Sequence, residues 1–238
     1  MPKTTRGRAA EDPATPDAER PTDARAAILD AATRLFAAHD FDGTSLQAIA
    51  SEVGIRKPSL LYHFPSKAAL REAVLEALLT RWNALLPELL LAAAKARRFD
   101  AVMEALTSFF LEDPDRARLL LREALDRPDA LRALLAEYVR PWVAVVRDQL
   151  EAARADGFVH ADADVEAYAV QIIHLVVGGV AVMDTMTAVL GPGEVPPERR
   201  LTRELLRFAR AGLFARPLPG AGDRKAPADG ARAEAPED

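Results

Sequence analysis

The chain of 238 residues contains no cysteine. That excludes a disulfide framework, a thiolate metal site and a cysteine nucleophile, and it suits a reducing, cytoplasmic compartment. Aromatic residues are scarce at 6%, and only two of them are tryptophan. No apolar run follows the basic stretch Met1–Ala10, so no signal peptide is expected. The most apolar segment, Ile172–Met183, is too short to span a bilayer and carries His174, so it reads as a buried helix. Runs of Val, Ile and Thr with strand alternation are missing as well. G-x-S-x-G, a P-loop and H-E-x-x-H are absent, and four of the five serines cluster at Ser45, Ser51, Ser59 and Ser66. An enzyme is therefore not expected, nor a cofactor or a metal. His160-x-Asp162-x-Asp164 looks metal-like, but an aspartate there is better placed to cap the following helix, and nothing completes a calcium loop.

What remains is alanine, leucine and charge in helical rhythm, with prolines between segments. The fold class is all-α, divided into four parts. Residues 1–20 and 216–238 are Pro-, Ala- and charge-rich without period and read as disordered tails. Residues 21–68 read as a helix-turn-helix unit and residues 69–215 as a helical body. The net charge of −5 argues against nucleic acid only until its distribution is considered. Arg56, Lys57, Lys67 and Arg71 lie within 54–71, a segment with no acid. A basic patch on an acidic body can grip phosphates while discouraging indiscriminate binding.

The first helix is expected to start near Thr22–Asp23, with Ile28, Leu29, Ala32, Leu35 and Phe36 inward and a turn at Asp42-Gly43. Thr44 is expected to cap the second helix, with Gln47 three residues on closing a capping box. Leu46, Ile49, Ala50 and Val53 form its buried stripe, and Gly54 ends it. The third helix runs from about Lys57 to Phe64, with Leu60 and Phe64 inward and Lys57, Ser59, Tyr62 and His63 outward. Two short helices joined at Gly54-Ile55 and steadied by a third form a helix-turn-helix, whose second helix enters the major groove. Lysine can donate to guanine there, and Pro58 or Leu61 can touch a thymine methyl. Lys67 sits in the first turn of the fourth helix, against the macrodipole, which makes sense if a phosphate lies there. Further helices are expected near 100–112, 115–126, 129–155 with a kink at Pro141, 163–190 and 198–214, and Pro87 is expected to end or kink the fourth.

From Arg25 to Leu79 the sequence closely resembles the TetR/AcrR (tetracycline-repressor-like) family. The resemblance rests on I-L-D-A-A-T-R-L-F-A at 28–37, F-D-G-T-S-L-Q-A-I-A at 41–50 and V-G-I-R-K-P-S-L-L-Y-H-F-P-S-K at 53–67. It implies an all-α homodimer that represses transcription from a near-palindromic operator until a small ligand releases it. It also implies that Lys57, Pro58, Ser59, Leu61, Tyr62 and His63 meet bases or nearby backbone, and that Thr44, Ser45, Gln47, Tyr62 and Lys67 meet phosphates. Two positions depart from the pattern. Arg56 stands where a small capping residue is frequent, adding a cation at the groove, and Leu61 stands where a tyrosine is common.

The resemblance further implies a four-helix seam between two chains, here from Val176, Gly178, Gly179, Leu201, Leu205 and Phe208. The effector is expected to be small and mostly apolar, lined by Trp82, Met103, Phe109, Phe110, Tyr138, Trp142, His174 and Met183. The competing expectation is a helical protein–protein module without DNA binding, for which the local charge of Arg56, Lys57 and Lys67 would have no use.

Overall fold

The computed structural model describes residues 21–85 and 98–215. The tails at 1–20 and 216–238 and the expected break at Pro87 lie outside these residues. The first helix, α1, covers Pro21–Gly43 and buries Ile28, Ala31, Ala32 and Phe36. Its regular part stops at Asp40, which takes φ 60°, ψ 178°. Asp40 Oδ1 accepts a hydrogen bond from the Gly43 amide at 2.6 Å. Short polar side chains tolerate positive φ because they can satisfy local backbone in this way. The break therefore falls two residues before the expected Asp42-Gly43 turn.

The second helix, α2, runs Leu46–Val53, and its cap is Ser45 rather than Thr44: Ser45 Oγ accepts from the Ala48 amide at 3.0 Å. Thr44 is only 3% exposed, and its hydroxyl points inward, 2.7 Å from the Asp40 carbonyl and 3.0 Å from that of Leu35. Gln47 does not close a capping box but donates to Ser51 Oγ at 3.3 Å. Gly54 takes φ 79° and ends α2 through its amide, a left-handed conformation that glycine adopts without a Cβ penalty.

Helix α3 is Lys57–His63 and α4 is Lys67–Ala84, capped by Ser66 Oγ accepting from the Ala69 amide at 3.0 Å. Leu70, Val74, Leu78 and Trp82 recur at four-residue spacing on α4 and are all buried. The body continues with α5 (Arg98–Leu111), α6 (Pro114–Asp126), α7 (Pro128–Tyr138), α8 (Arg140–Ala155), α9 (Val165–Ala181), α10 (Met183–Thr187) and α11 (Pro197–Leu213).

The single helix expected over 129–155 is two helices meeting at Val139. Pro128 and Pro141 each occupy a first-turn position, where the missing N–H is not needed and the fixed φ suits a helix start. The helix expected over 163–190 likewise divides, at Val182. Asp164 caps α9, its Oδ1 accepting from the Ala167 amide at 2.9 Å. Helix α9 lies at the centre of the body, packed by α5, α6, α8 and α11. Val165, Ala169, Ile172, Val176 and Val180 form its inward stripe. Tyr168 ties α9 to α11 by donating to the Ala209 carbonyl. An isolated backbone bridge between Val159 and Phe214, with the Phe99 and Phe214 rings 5.0 Å apart, closes the end of the body.

Candidate nucleic-acid interface

The recognition candidate is α3, and its orientation is set by two anchors. Leu60 is fully buried and Phe64 is 3% exposed, so the opposite face must point out. Lys57, Pro58, Ser59, Leu61 and Tyr62 are exposed and His63 is half-buried. Tyr62 stands 87% exposed with its ring edge-on to His63 at 5.5 Å. Arg56 takes the capping position in an extended conformation and makes no side-chain cap, which leaves its guanidinium on the surface. Arg25 of α1 lies over the Phe64 ring at 5.0 Å and steadies the far end of α3.

Behind α3, cations gather on one ring. Lys67 Nζ lies 4.4 Å from the Phe41 ring centroid, and the guanidinium of Arg127 lies 4.4 Å from the same centroid. Lys67 also reaches the Asp42 carbonyl at 3.5 Å. The first turn of α4 thus places Lys67 at a helix N-terminus, a combination suited to a phosphate. Ser45 and Gln47 are exposed on α2. Thr44 does not belong to this set as a side-chain donor, because its hydroxyl is committed inward; only its backbone remains.

Arg71, counted by the sequence in the basic patch with Arg56, Lys57 and Lys67, does not belong to it: it is buried and bonded to Glu123. With Glu123, Arg122 and Arg127, which the sequence did not single out, it joins this head to the body. Arg71 on α4 and Glu123 on α6 form a buried ion pair, 8% and 5% exposed. Arg71 Nε donates to both carboxylate oxygens, at 2.8 and 2.9 Å, and Nη2 donates to one of them. Hydrogen bonding to Glu123 raises the Arg71 pKa further above its ordinary value, so the pair stays ionised. Arg122 donates to the carbonyls of Ala37 and Ala38 at 2.8 and 3.3 Å, and Arg127 pairs with Asp42 at 3.2 Å. Helix α6 therefore grips both α1 and α4. A buried charge must find an opposite partner, but the 52 residues separating this pair hide it from any periodic pattern.

Most expected effector residues do come together. Trp82 packs against Phe109, Phe110 and Trp142 with ring centroids 5.5–5.7 Å apart. Met103 and Met183 are buried in the same continuous core, and Tyr138 is half-buried against it. His174 does not join them: it is exposed on the outer face of α9. The expected seam residues are divided too. Val176 has no exposed surface and belongs to the chain's own core, because the stripe from Val165 to Val180 faces inward. Leu201 and Leu205 are half-buried against that core, whereas Phe208 is 62% exposed. Gly178 and Gly179 face open space.

An exposed recognition helix on a three-helix head, gripped by an all-helical body, defines a helix-turn-helix protein. Residues 28–74 match the family model described as bacterial regulatory proteins, tetR family, and residues 120–188 match the tetracyclin repressor-like C-terminal domain. The head and the body thus each match a domain model of the tetR family of bacterial regulatory proteins. The chain is 39% identical over 112 residues to the HTH-type transcriptional regulator RutR of Escherichia coli K12, covering 47% of this chain and 46% of that one. It is 49% identical over 45 residues to IcaR of Staphylococcus aureus strain Newman, the HTH-type negative transcriptional regulator of the biofilm operon icaADBC, covering 19% and 24%. The chain thus matches less than half the length of these relatives. Its fold is shared with the ketosteroid transcriptional regulator KstR2 of Mycobacterium tuberculosis (TM-score 0.60, 17% identity, 81% and 95% covered). It is also shared with the fatty acid degradation regulator FadR of Bacillus halodurans (TM-score 0.62, 12% identity, 82% and 98% covered).

Proposed function

We propose that this protein is a DNA-binding transcriptional regulator of the repressor type, which holds a near-palindromic operator as a homodimer and releases it when a small, mostly apolar effector binds the body. The observation that carries the reading is the outward face of α3. Lys57, Ser59, Tyr62 and His63 have no structural duty there, while Leu60 and Phe64 lock the helix in register. Lys57 and Ser59 would read base edges in the major groove, while Tyr62, Lys67, Ser45 and Gln47 would fix the head on the phosphates. IcaR, similar to this chain over 45 residues, is named as a negative regulator, which favours repression.

Reading a two-fold site calls for two heads on one DNA face. The outer side of α9 to α11 supports that arrangement. Val170, Leu175, Val182, Met186, Val189 and Phe208 are large apolar residues exposed along it. The test is fluorescence anisotropy with DNA from upstream of the gene across a salt series. Specific binding with a steep salt slope is expected, because phosphate contacts release counterions. Lys57→Ala should relax base preference at one position by about 1–3 kcal/mol. Wild-type affinity and selectivity in that variant would remove α3 as the reading element.

A further inference from the structure

Two neighbouring residues near the end of α4 each bury a polar atom with no hydrogen-bond partner among the described residues, the indole Nε1 of Trp82 and the amide Oδ1 of Asn83, and of the two only Trp82 lies in the ring cluster of the body. Trp82 is 5% exposed, and its indole Nε1 has no hydrogen-bond partner among the described residues. Phe109, Phe110 and Trp142 pack around the indole with ring centroids 5.5–5.7 Å away, and none of these side chains carries a lone-pair acceptor for the N–H. A buried donor left unpaired is costly, and native proteins rarely keep one without a use. The rest of the described interior narrows what could answer it. Its buried polar and charged side chains are Thr44, Arg71, Thr107 and Glu123. Thr44 is bonded within the head, Arg71 and Glu123 neutralise each other, and Thr107 donates to the Met103 carbonyl at 2.6 Å. None of them is an unpaired charge that could meet an ionised ligand.

We infer that Trp82 is the polar anchor of the effector site, and that its ligand is a neutral apolar molecule presenting a carbonyl-type oxygen to the indole N–H. The inference rests on the reading of the body as an effector domain and adds to it the chemical class and the recognising atom. Indole donates and cannot accept, so the site discriminates in favour of an acceptor. A ligand without that oxygen would leave the donor buried and unpaired, and specificity built on such a donor exceeds what apolar contact alone supplies. A carboxylate would also accept, but in the interior of the described residues it would meet no unpaired cation, since Arg71 is bonded to Glu123 and Arg116, over the Phe109 ring, is paired with Asp113.

The test uses the full chain, 15N-labelled, and matched probes in which a methylene replaces the oxygen: acetophenone against α-methylstyrene, and 2-nonanone against 2-methyl-1-nonene. Two tryptophans give two indole N–H signals, and Trp82→Phe identifies its own by its loss. At least one ketone should move the Trp82 indole proton downfield and bind about tenfold tighter than its hydrocarbon partner, as one hydrogen bond to a desolvated donor supplies. Trp82→Phe should abolish that preference while the hydrocarbon binds as before. Should Trp82→Phe fail to fold, Trp142→Phe assigns the two signals instead, and the wild-type shift and the ketone-to-hydrocarbon ratio then decide. An unmoved Trp82 signal with both ketones, or equal affinity within both pairs, overturns the inference. A ketone that binds Trp82 as inferred yet leaves DNA affinity unchanged upholds the anchor and refutes the effector reading instead.

Discussion

The Arg71–Glu123 pair permits a quantitative test of how the head is fixed to the body. Its side chains retain 10% and 6% of their exposure, so both charges are almost wholly desolvated. Replacing Glu123 with alanine removes three hydrogen-bond contacts and leaves the buried guanidinium without its bonded partner, over a Phe41 ring that already carries the cations of Lys67 and Arg127. Breaking a buried pair from one side costs about 3–5 kcal/mol. Chains of this size hold about 5–15 kcal/mol of stability, so the loss is a large fraction of the total. At about 2–4 °C per kcal/mol for 150–250 residues, the melting temperature should fall by on the order of 10 °C. Arg71→Met with Glu123→Leu removes both charges and keeps the volume, so the double variant should be closer to wild type than Glu123→Ala. Urea titrations give the free energies by linear extrapolation. A loss below about 1 kcal/mol in Glu123→Ala, the range of exposed pairs, would refute the claim that this contact is desolvated.

Two further outcomes follow from burial and charge. Phe208→Glu should yield a folded monomer in sedimentation while Val176→Glu should fail to fold, since the first residue faces outward and the second lies in the core; a Phe208→Glu dimer would move the seam off α11. Burial pushes the Tyr168 phenol well above its ordinary value, so the native state keeps a proton that the unfolded chain releases near pH 10. Above about pH 10 the unfolded state then binds fewer protons, and the stability from neutral Tyr168, intact below that pH, is lost as pH rises. Tyr168→Phe should therefore flatten the fall in melting temperature between about pH 8 and 11; an unchanged slope would show that another group carries it.

The head was legible in the sequence because its signals are local and each has one structural solution. Gly54 had to end α2, Pro58 could sit only in a first turn, and Leu60 with Phe64 could be buried together only by turning Lys57, Ser59 and Tyr62 outward. Thr44-Ser45 misled because two adjacent hydroxyl residues fit a cap equally well, and the choice depends on Thr44 finding the Asp40 carbonyl, a tertiary matter. Pro141 was read as a kink, although a proline breaks one helix and starts another with equal ease. In α9 nearly every residue is apolar, so composition could not say which face would be covered. Packing by α6 and α8 decides it, turning Val176 in and His174 out. Ion pairs between distant segments leave no periodic trace, and so the grip of α6 on the head had no signature to find.

On the proposed reading, that grip would carry an event at Trp82 to the face of α3. Arg71 and Trp82 lie on one continuous helix, eleven residues apart, so they are about 16 Å apart along its axis. The Trp82 end is set in the ring cluster and the Arg71 end is held by Glu123, while Lys67 lies one turn further toward the start of the helix. A rigid helix held near one end would turn a small displacement at the other into a reorientation of the head, and in the proposed homodimer that would change the spacing of the two recognition helices. The energetic demand is about 1–3 kcal/mol of differential affinity between the DNA-bound and released forms. A single hydrogen bond to the indole contributes about 1 kcal/mol net, so it meets only the lower end of that range. The remainder has to come from apolar contacts that differ between the two positions of α4. An effector that satisfied the indole without pressing on the neighbouring rings would bind and leave the operator occupied, whereas one that also separated Trp82 from Phe109 and Trp142 would move the helix and release it.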